Sequence, residues 1–450
     1  MENQKENIMG TMPIKKLIIT MSLPMMISML VQALYNIVDS VFVARIHEDA
    51  LTAVSMAFPI QTLTIALGGG IGIGVNAILS KSLGEKNQEN VNKSAMMGIL
   101  ITFFNYLIML IIGLTIVRPF YMIQTDSEAI VGYGCDYLSI VCCCSFGMFF
   151  QFIFERLLQS TGKTFYAMIT QTTGAIINII MDPILIFGLF GMPALGVKGA
   201  AIATVAGQIV AATLAVIINI KKNTEIQFEL KEIKPDMKMI GQIYKVGFPS
   251  IIMQSIGSVM VFSLNKILIG FSSTAVAVFG VYFKLQSFVF MPIFGLNNGV
   301  VPVIAYNYGA RNRKRLLDTV KFGITIAVAI MTVGTIVFEI IPDKLFMLFS
   351  ASDSMLSMGE IALRIIAVHF PIAAICIVFG SVFQALGCAV YSMFVSIARQ
   401  LVVLIPAAYI LASLGNVNLV WWAFPIAEGM SLLMSSVFMS RINKKIISKI

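Results

Sequence analysis

One aspartate stands in a setting that normally excludes charge. Residues 178–188, NIIMDPILIFG, place Asp182 among isoleucines and leucines with no neighbouring positive charge. A carboxylate in apolar surroundings is costly unless it faces a cavity or a partner. On a helix, the positions four, eight and eleven residues before Asp182 share its face, and they hold Asn178, Gly174 and Gln171. The spacing therefore predicts a polar stripe that ends in an acid.

A second stripe of the same kind occurs near the N-terminus, in the stretch QALYNIVDSVF. Gln32, Tyr35, Asn36 and Asp39 stand at positions i, i+3, i+4 and i+7 of one helical face. We expect the two stripes to face each other, so that the two acids share one chamber.

Two adjacent carboxylates suggest ion coupling. In a dry site they cannot both ionise cheaply, so the pair holds a proton or binds a cation. The predicted proton- or cation-coupling residues, which are also the candidate Na⁺ ligands, are Asp39, Asn178 and Asp182. The predicted substrate-binding residues are Gln32, Tyr35, Asn36 and Gln171.

The neighbourhood of each acid carries further information. Pro183 has no N–H for the carbonyl of Ile179, which is left to accept a cation or a water. Asp39 has a simpler alternative role, because Arg45 follows closely and the carboxylate could merely cap the outer end of its helix.

Four other ionisable groups lie in apolar stretches. Lys284, between Phe283 and Leu285, is a candidate second charge-sensing position. His369 and Glu428 are isolated and are most simply interpreted as interior groups with partners. Glu155 is followed directly by an arginine, which favours a local ion pair.

The elements that carry these residues are membrane-spanning helices. Of the 450 residues, 58% are hydrophobic and 12% are charged, against about 25% charged residues in soluble domains. Apolar runs long enough for a helix to cross a bilayer recur along the chain. The runs are continuous rather than alternating, which excludes a β-barrel. The predicted spans are 17–43, 51–80, 95–117, 132–158, 164–189, 198–220, 241–270, 275–305, 318–341, 358–386, 390–413 and 418–440.

Positive charge predicts the orientation of these twelve spans. Lysine and arginine concentrate at both termini and in the connections after the second, sixth and eighth spans. Such connections stay in the cytoplasm, so both termini are expected there, in a multi-pass protein of the cell membrane. The net charge of +9 thus reflects topology, and the expected partner is the lipid bilayer rather than a nucleic acid. The polar start, MENQKENIMG, does not resemble a signal peptide.

The chain repeats itself at an offset of half its length. Pro24 then falls on Pro249, Gln61 on Gln286 and Asn87 on Asn312. Glycines 70, 74, 84, 98, 134 and 162 fall on glycines 295, 299, 309, 323, 359 and 387. Two six-helix repeats in the same orientation are a transporter architecture. We expect an N-terminal lobe at 1–220, a cytoplasmic linker at 221–240 and a C-terminal lobe at 241–450.

Sequence motifs of catalysis are not evident. The glycine-rich ALGGGIGIGVNA at 66–77 lies inside an apolar span with no strand before it, so it is not a dinucleotide site. We find no serine–histidine–aspartate set, no metal-ligand cluster and no P-loop. We therefore expect no enzyme activity and no cofactor, with H⁺ or Na⁺ as the coupling ion.

Three stretches together resemble one transporter family. LSKSLGEKN, LLQSTGKTFYAMITQTTGAIINIIMDPILIFG and VPVIAYNYGARNRKR look like the multidrug and toxic compound extrusion (MATE) family, and NYGARN and N-x-x-x-D-P resemble its MepA-like branch most. The resemblance covers essentially the whole chain. It implies a monomeric secondary active exporter that confers antibiotic resistance, exchanging H⁺ or Na⁺ for bulky cationic or amphiphilic drugs by alternating access.

The same resemblance implies site residues. Asp39, with Gln32 and Tyr35 on its stripe, and Asn178 with Asp182 match the family's N-lobe site. Some members carry a second acidic site in the seventh and tenth helices. Here the seventh span, FPSIIMQSIGSVMVF, has no acid, and the tenth has an arginine and a histidine. Because the seventh and tenth spans lack these acids, we expect the N-terminal half to carry the ion coupling.

Other functions stay open at this point. A lipid-linked oligosaccharide flippase of related fold would favour several cavity arginines for pyrophosphate, and the spans hold almost none. A membrane-embedded enzyme would need clustered acidic or histidine ligands, such as DxxxD pairs for Mg²⁺. A channel is the third alternative, although a two-carboxylate site suits binding better than conduction.

Overall fold

The protein is helical throughout its described length. The structure is a computed structural model that describes residues 6–228, 234–349 and 352–450. The first half contains α1 (Ile8–Thr11), α2 (Ile14–Ala44), α3 (Glu48–Met56), α4 (Phe58–Gly84), α5 (Gln88–Thr115), α6 (Val117–Gln124), α7 (Glu128–Cys143), α8 (Phe146–Ser160), α9 (Thr164–Phe187) and α10 (Val197–Lys222). The second half contains α11 (Met237–Leu268), α12 (Ser273–Gly309), α13 (Arg313–Ile340), α14 (Pro342–Met347), α15 (Asp353–Ala367), α16 (Phe370–Ala385), α17 (Ala389–Ile397), α18 (Ile405–Ser413), α19 (Val417–Val420) and α20 (Ala423–Lys445). A π-helical segment, Ala398–Leu404, joins α17 to α18.

The membrane spans are of two kinds. Within the described ranges, ten helices are long and apolar enough to cross a bilayer. Two further spans are broken pairs, α7 with α8 bent by 43° and α15 with α16 bent by 47°, which gives up to twelve spans. Helices satisfy their own backbone polar groups, as a lipid environment requires. The predicted all-α integral membrane fold is confirmed, with the fourth and tenth predicted spans bent.

The sequence repeat is also a repeat of elements. Both ends of α5 coincide with those of α13 when the chain is shifted by half its length, and the outer ends of the two bent pairs coincide in the same way. The aligned asparagines act alike: the side chain of Asn87 accepts from the N–H of Asn90 at 3.0 Å, and that of Asn312 from the N–H of Arg315 at 3.1 Å. Each asparagine thereby caps the start of its helix.

Gly134 and Gly359, which align in the repeat, each leave room for a neighbouring aromatic ring. A Cβ at Gly134 would lie 2.2 Å from the ring of Tyr121, and a Cβ at Gly359 would lie 2.4 Å from the ring of Phe346. The two rings also fall on each other in the repeat. The Tyr121 hydroxyl donates to the Ala53 carbonyl at 2.7 Å. In both halves a short helix thus places an aromatic ring directly against a glycine.

The chain folds into two compact units that are not consecutive in sequence. The N-terminal unit is Ile27–Phe248, and the C-terminal unit combines Met1–Met26 with Pro249–Ile450. The divisions fall inside α2 and α11, close to the helix-interior prolines Pro24 and Pro249. A proline there removes a backbone hydrogen bond and favours a bend. The lobes predicted at 1–220 and 241–450 stay a prediction about the repeat, with bounds different from those of the units.

The start of the chain is a packing element of the C-terminal unit. Asn307 donates to the carbonyl of Met9 at 3.2 Å, and Arg315 donates to the carbonyls of Met9 and Met12 at 3.0 and 2.8 Å. A Cβ at Gly299 would lie 2.4 Å from the hydroxyl of Ser22, so α12 and the first part of α2 are in close contact.

Candidate functional site

Asp182, the acid predicted on α9, is buried, and a hydrogen-bond donor lies one turn earlier on the same helix. Asp182 is 0% exposed and Asn178 is 3% exposed. The Asn178 amide donates to Asp182 Oδ1 at 3.5 Å. Helix α9 ends soon afterwards at Gly188, whose φ of 73° is the left-handed conformation that glycine adopts without strain. The burial of Asp182 and Asn178 shows that the polar stripe predicted on α9 faces the interior of the N-terminal unit.

The two predicted acids meet. The carboxyl groups of Asp39, on α2, and Asp182, on α9, are neighbours within reach of a shared hydrogen bond. Asp39 Oδ1 and Asp182 Oδ2 are both buried without a hydrogen-bond partner in the described part of the chain. Ionised carboxylate oxygens only accept hydrogen bonds, so neither group can satisfy the other without a proton or a cation.

Helices α9 and α10 approach each other closely, and this brings a hydroxyl group of α10 to Asn178. A Cβ at Gly207 of α10 would lie 2.6 Å from the carbonyl of Gly174 of α9. Because the backbones nearly touch there, Thr204 of α10 reaches the Asn178 amide, which donates to its hydroxyl at 3.3 Å. The glycine on the predicted stripe is thus a packing residue, and it positions the polar residues on either side.

Like Thr204, two further residues of this site were missed by the sequence analysis. Tyr137 of α7 is 3% exposed and lies within electrostatic range of both Asp39 and Asp182. Its hydroxyl accepts a hydrogen bond from the Gln61 amide of α4 at 3.0 Å. Gln61 had a detectable signal, because it falls on Gln286 in the repeat. Tyr137 had none, since nothing in its own stretch distinguishes it from a core aromatic residue.

Three of the four predicted substrate-binding residues line a small cavity beside the acids. The cavity holds about 80 Å³, and Gln32, Tyr35, Gln171 and Asn178 lie in its wall. The Gln171 amide donates to Gln32 at 2.7 Å, and Ser28 donates to Gln171. Tyr35 also lies within electrostatic range of both aspartates.

Asn36 and Lys284 lie elsewhere. Asn36 is exposed, one position away from the inward face of α2. Lys284 is exposed on α12, with its ammonium 6.0 Å from the ring centre of Phe349. A second charge-sensing role for Lys284 stays a prediction.

Glu155 is buried and hydrogen-bonded to two neutral side chains. It is 5% exposed, and it accepts hydrogen bonds from Gln151 at 3.0 Å and from the Thr170 hydroxyl at 3.1 Å. The neighbouring Arg156 donates to Gln159 at 2.8 Å. The amide and hydroxyl donors satisfy Glu155 in the interior, and Arg156 lies within electrostatic range of it, so the predicted local ion pair stays a prediction.

The described ranges contain no group of three or more histidine, cysteine or acidic residues placed to hold a metal ion. The site in the N-terminal unit consists of two acids, an amide and neutral hydroxyl groups. Such a set can take up and release a proton or bind a monovalent cation through oxygens.

Comparisons with known proteins identify the family. The MatE family model matches residues 24–184 and 249–410. The starts of the two matched stretches, Pro24 and Pro249, fall on each other in the repeat, so the family's characteristic region is the repeated one.

Relatives and solved structures match over nearly the whole chain. The multidrug export protein MepA of Staphylococcus haemolyticus (strain JCSC1435) is 30% identical over 408 residues, covering 90% of this chain and 89% of that protein. MepA of Staphylococcus aureus (strain MRSA252) is 28% identical over 422 residues, covering 94% and 92%. A structure described as the outward-facing conformation of a multidrug resistance MATE family transporter of the MOP superfamily is 25% identical, covers 100% of both chains and has a TM-score of 0.93. The chain therefore belongs to the MatE (MATE) family and is a membrane transporter rather than an enzyme.

Proposed function

We propose that the protein is a secondary active multidrug exporter that exchanges H⁺ or Na⁺ for bulky cationic or amphiphilic drugs. The export of small molecules is supported by the names of its relatives, which are multidrug export proteins. The coupling is assigned to Asp39 and Asp182. No cofactor is required, because the ion gradient supplies the free energy, and the protein acts as a monomer.

One observation carries the assignment of the coupling residues. Asp39 and Asp182 come from distant parts of the chain, yet each presents beside the other a buried oxygen that has no partner among the described residues. A buried carboxylate pair without a counterion is strongly unfavourable, so the site favours uptake of one positive charge. Binding and release of that charge is what an antiporter needs from its coupling site.

The surrounding groups define two states of the site. With a proton or cation bound, the carboxyl groups draw together and Asn178, Tyr137 and Gln61 hold them in place. Without it, the two carboxylates repel, and a cationic drug in the adjoining cavity restores the charge balance. Uptake of the ion from outside then displaces the drug, and loss of the ion to the cytoplasm resets the site. Competition for one charge therefore couples the two movements.

The unpartnered oxygens of the site can accept either of the two candidate ions. Asp39 Oδ1, Asn178 Oδ1 and Asp182 Oδ2 are all buried and lack partners in the described structure. Three such oxygens suit a hard cation such as Na⁺, whereas a proton needs only the two carboxyl groups. Both ions remain within the proposal.

The test is drug efflux from proteoliposomes under an imposed pH gradient or an imposed Na⁺ gradient. We expect one of the two gradients to drive export. The rate of gradient-driven drug export should be at least tenfold lower in the Asp182→Asn variant, because the amide cannot take up a positive charge. The matched control is Asp136→Asn, whose half-exposed carboxylate pairs with Lys198 at 3.3 Å in the same unit; it should keep its rate.

The results also separate the alternatives. Export that ignores both gradients, or full activity in Asp182→Asn, would contradict ion coupling at this site. A protein that moves a lipid-linked oligosaccharide across the bilayer, and no drug, would instead be a flippase.

We also propose that both termini are cytoplasmic in the cell membrane, as the positive connections indicate. Fusion of green fluorescent protein to the C-terminus should give fluorescent cells, and fusion of alkaline phosphatase there should give inactive phosphatase. The reverse pattern would contradict this orientation.

A further inference from the structure

A cavity of the C-terminal unit has no role in the coupling described above. It holds about 160 Å³, and a cavity of about 150 Å³ is large enough for one benzene ring. Aromatic side chains form much of its wall, among them Tyr282, Phe290, Phe294, His369 and Phe424. The His369 ring stacks on Phe424 with 6.1 Å between centroids and an interplanar angle of 22°. The space is thus shaped for a single aromatic ring.

A buried acid lines the same cavity. Glu428 of α20 is 2% exposed, and its Oε2 accepts from Arg399 Nη1 at 3.1 Å. The other oxygen, Oε1, is buried with no hydrogen-bond partner among the described residues. The Tyr282 hydroxyl, also in the wall, is buried and unpartnered in the same way. The Cys376 thiol is also close enough to Glu428 to donate a weak hydrogen bond to it. Half of the carboxylate therefore remains available to a ligand.

The backbone around Arg399 has an unusual helical geometry. The residue lies in the π-helical segment, a wide helical turn that occurs frequently at functional sites. Its guanidinium pairs with Glu428, an acid of another span. Its side chain is 28% exposed against 3% for Glu428. The pair therefore uses Oε2 of Glu428 and leaves Oε1 without a partner among the described residues.

This ion pair belongs to one half of the molecule. In the alignment of the two repeats, Arg399 corresponds to Gly174 and Glu428 to Ala203. Conversely, Asp182 corresponds to Ala407. Each unit therefore carries its own acidic centre on different helices, and the centre of the C-terminal unit is not a copy of the coupling site.

We propose that this cavity is a binding subsite for the ring-bearing, cationic end of an amphiphilic drug. The ring packs among the aromatic residues and the cation lies against Glu428 Oε1. Aromatic faces attract cations and disfavour anions, and the charged groups at the cavity, Glu428 and Arg399, already balance each other. A ligand cation therefore meets an unpaired carboxylate oxygen, whereas an anion would have to displace Glu428 from Arg399. The subsite rests on the proposed function only in taking its ligand to be a transported drug.

The chain contains a natural reporter for this subsite. Its only two tryptophans are Trp421 and Trp422, which directly precede α20, and Phe424 of the cavity wall follows them. Tryptophan fluorescence of the purified full-length protein can thus be titrated with benzyltrimethylammonium, a one-ring cation, and with the neutral benzyl alcohol. No ion gradient is needed, so failure of this test is distinct from failure of coupled export.

Two substitutions should shift the affinity in opposite directions. Glu428→Gln should weaken binding of benzyltrimethylammonium at least tenfold and leave benzyl alcohol unaffected. Arg399→Gln should tighten binding of the cation several-fold, because it removes the internal competitor for the carboxylate. Glu339→Gln, which changes an exposed acid on α13, is the matched control and should leave both affinities unchanged.

A purely structural ion pair gives a different result. The proposal would be overturned if Glu428→Gln lost affinity equally for benzyltrimethylammonium and for benzyl alcohol, or if its affinities were unchanged. Weaker binding of the cation in both Glu428→Gln and Arg399→Gln would overturn it as well. Elution as a single monodisperse species verifies folding of each variant. If Glu428→Gln fails to fold, the sign of the change in Arg399→Gln decides by itself, with tighter binding supporting the subsite and weaker or unchanged binding overturning it.

Discussion

At the scale of single residues, the acid pair depends on neutral neighbours rather than on a counterion. Asp182 is held by an amide, and Tyr137 with Gln61 approaches from two further helices. A nearby arginine would neutralise the pair permanently. Neutral hydrogen-bonding groups leave the charge of the pair free to change, which is the property that the proposed coupling requires.

Tyr137→Phe tests the contribution of these neighbours. We expect gradient-driven drug efflux to fall several-fold, because the hydroxyl beside the two acids is lost and the Gln61 amide is left without its acceptor. A fully buried amide left unsatisfied costs about 1–3 kcal/mol. Gln61 is only half-buried and can turn to water, so the variant should still fold. Tyr133→Phe on the same helix is the control. Equal efflux rates for the two variants would show that Tyr137 is only a packing residue.

At the scale of elements, the contact between α9 and α10 sets the geometry of the site. Gly174 and Gly207 let the two backbones approach, and Gly199 packs against the Leu185 carbonyl in the same way, with a Cβ placed 2.4 Å from that oxygen. Small residues at such crossings are the usual means of close helix packing in membranes. The distance from Thr204 to Asn178 follows from this approach.

Gly207→Ala should therefore separate the two helices. Overpacking of this kind costs about 1–3 kcal/mol, so we expect a lower melting temperature in detergent together with reduced efflux. Gly132→Ala on α7 is the matched control, because a Cβ there meets nothing within 4 Å. Alanine is the better helix former, by about 1 kcal/mol, so the control should be unchanged or more stable. A stable and fully active Gly207→Ala would contradict the packing argument.

At the scale of the whole molecule, the two units exchange the beginnings of their first helices. Residues 6–26 pack with the second half of the chain. The first part of α11 belongs to the N-terminal unit, where a Cβ at Gly74 would lie 2.4 Å from the Ile243 carbonyl. Met9, Leu17 and Met21 are fully buried. The C-terminal unit is thus incomplete without a segment that precedes the N-terminal unit in sequence.

Separate expression of the two halves tests this exchange. Fragments 1–230 and 231–450, expressed together with a tag on the second, should co-purify, because residues 1–26 supply buried side chains and the Met9 and Met12 acceptors. A first fragment shortened to 27–230 should be recovered at least several-fold less. Equal recovery of the long and the short fragment would show that residues 1–26 contribute little to the assembly.

The sequence by itself determined the class of fold and the identity of the two acids. Apolar run length gives the number of spans, and helical periodicity places Asp39 and Asp182 on inward stripes, because both properties depend on residues close together in the chain. The repeat also follows from sequence alone, since it is a comparison of the chain with itself. Asn36 is exposed, and its substrate-binding role stays a prediction.

Only the tertiary structure decided which distant residues meet. The placement of Tyr137, Gln61 and Thr204 around the acids, the pairing of Arg399 with Glu428 and the exchange of the first-helix segments all join residues far apart in sequence. Such contacts depend on how closely helices approach and on where they bend. These are properties of packed backbones, such as the approach of Gly174 to Gly207, that no single stretch of sequence contains.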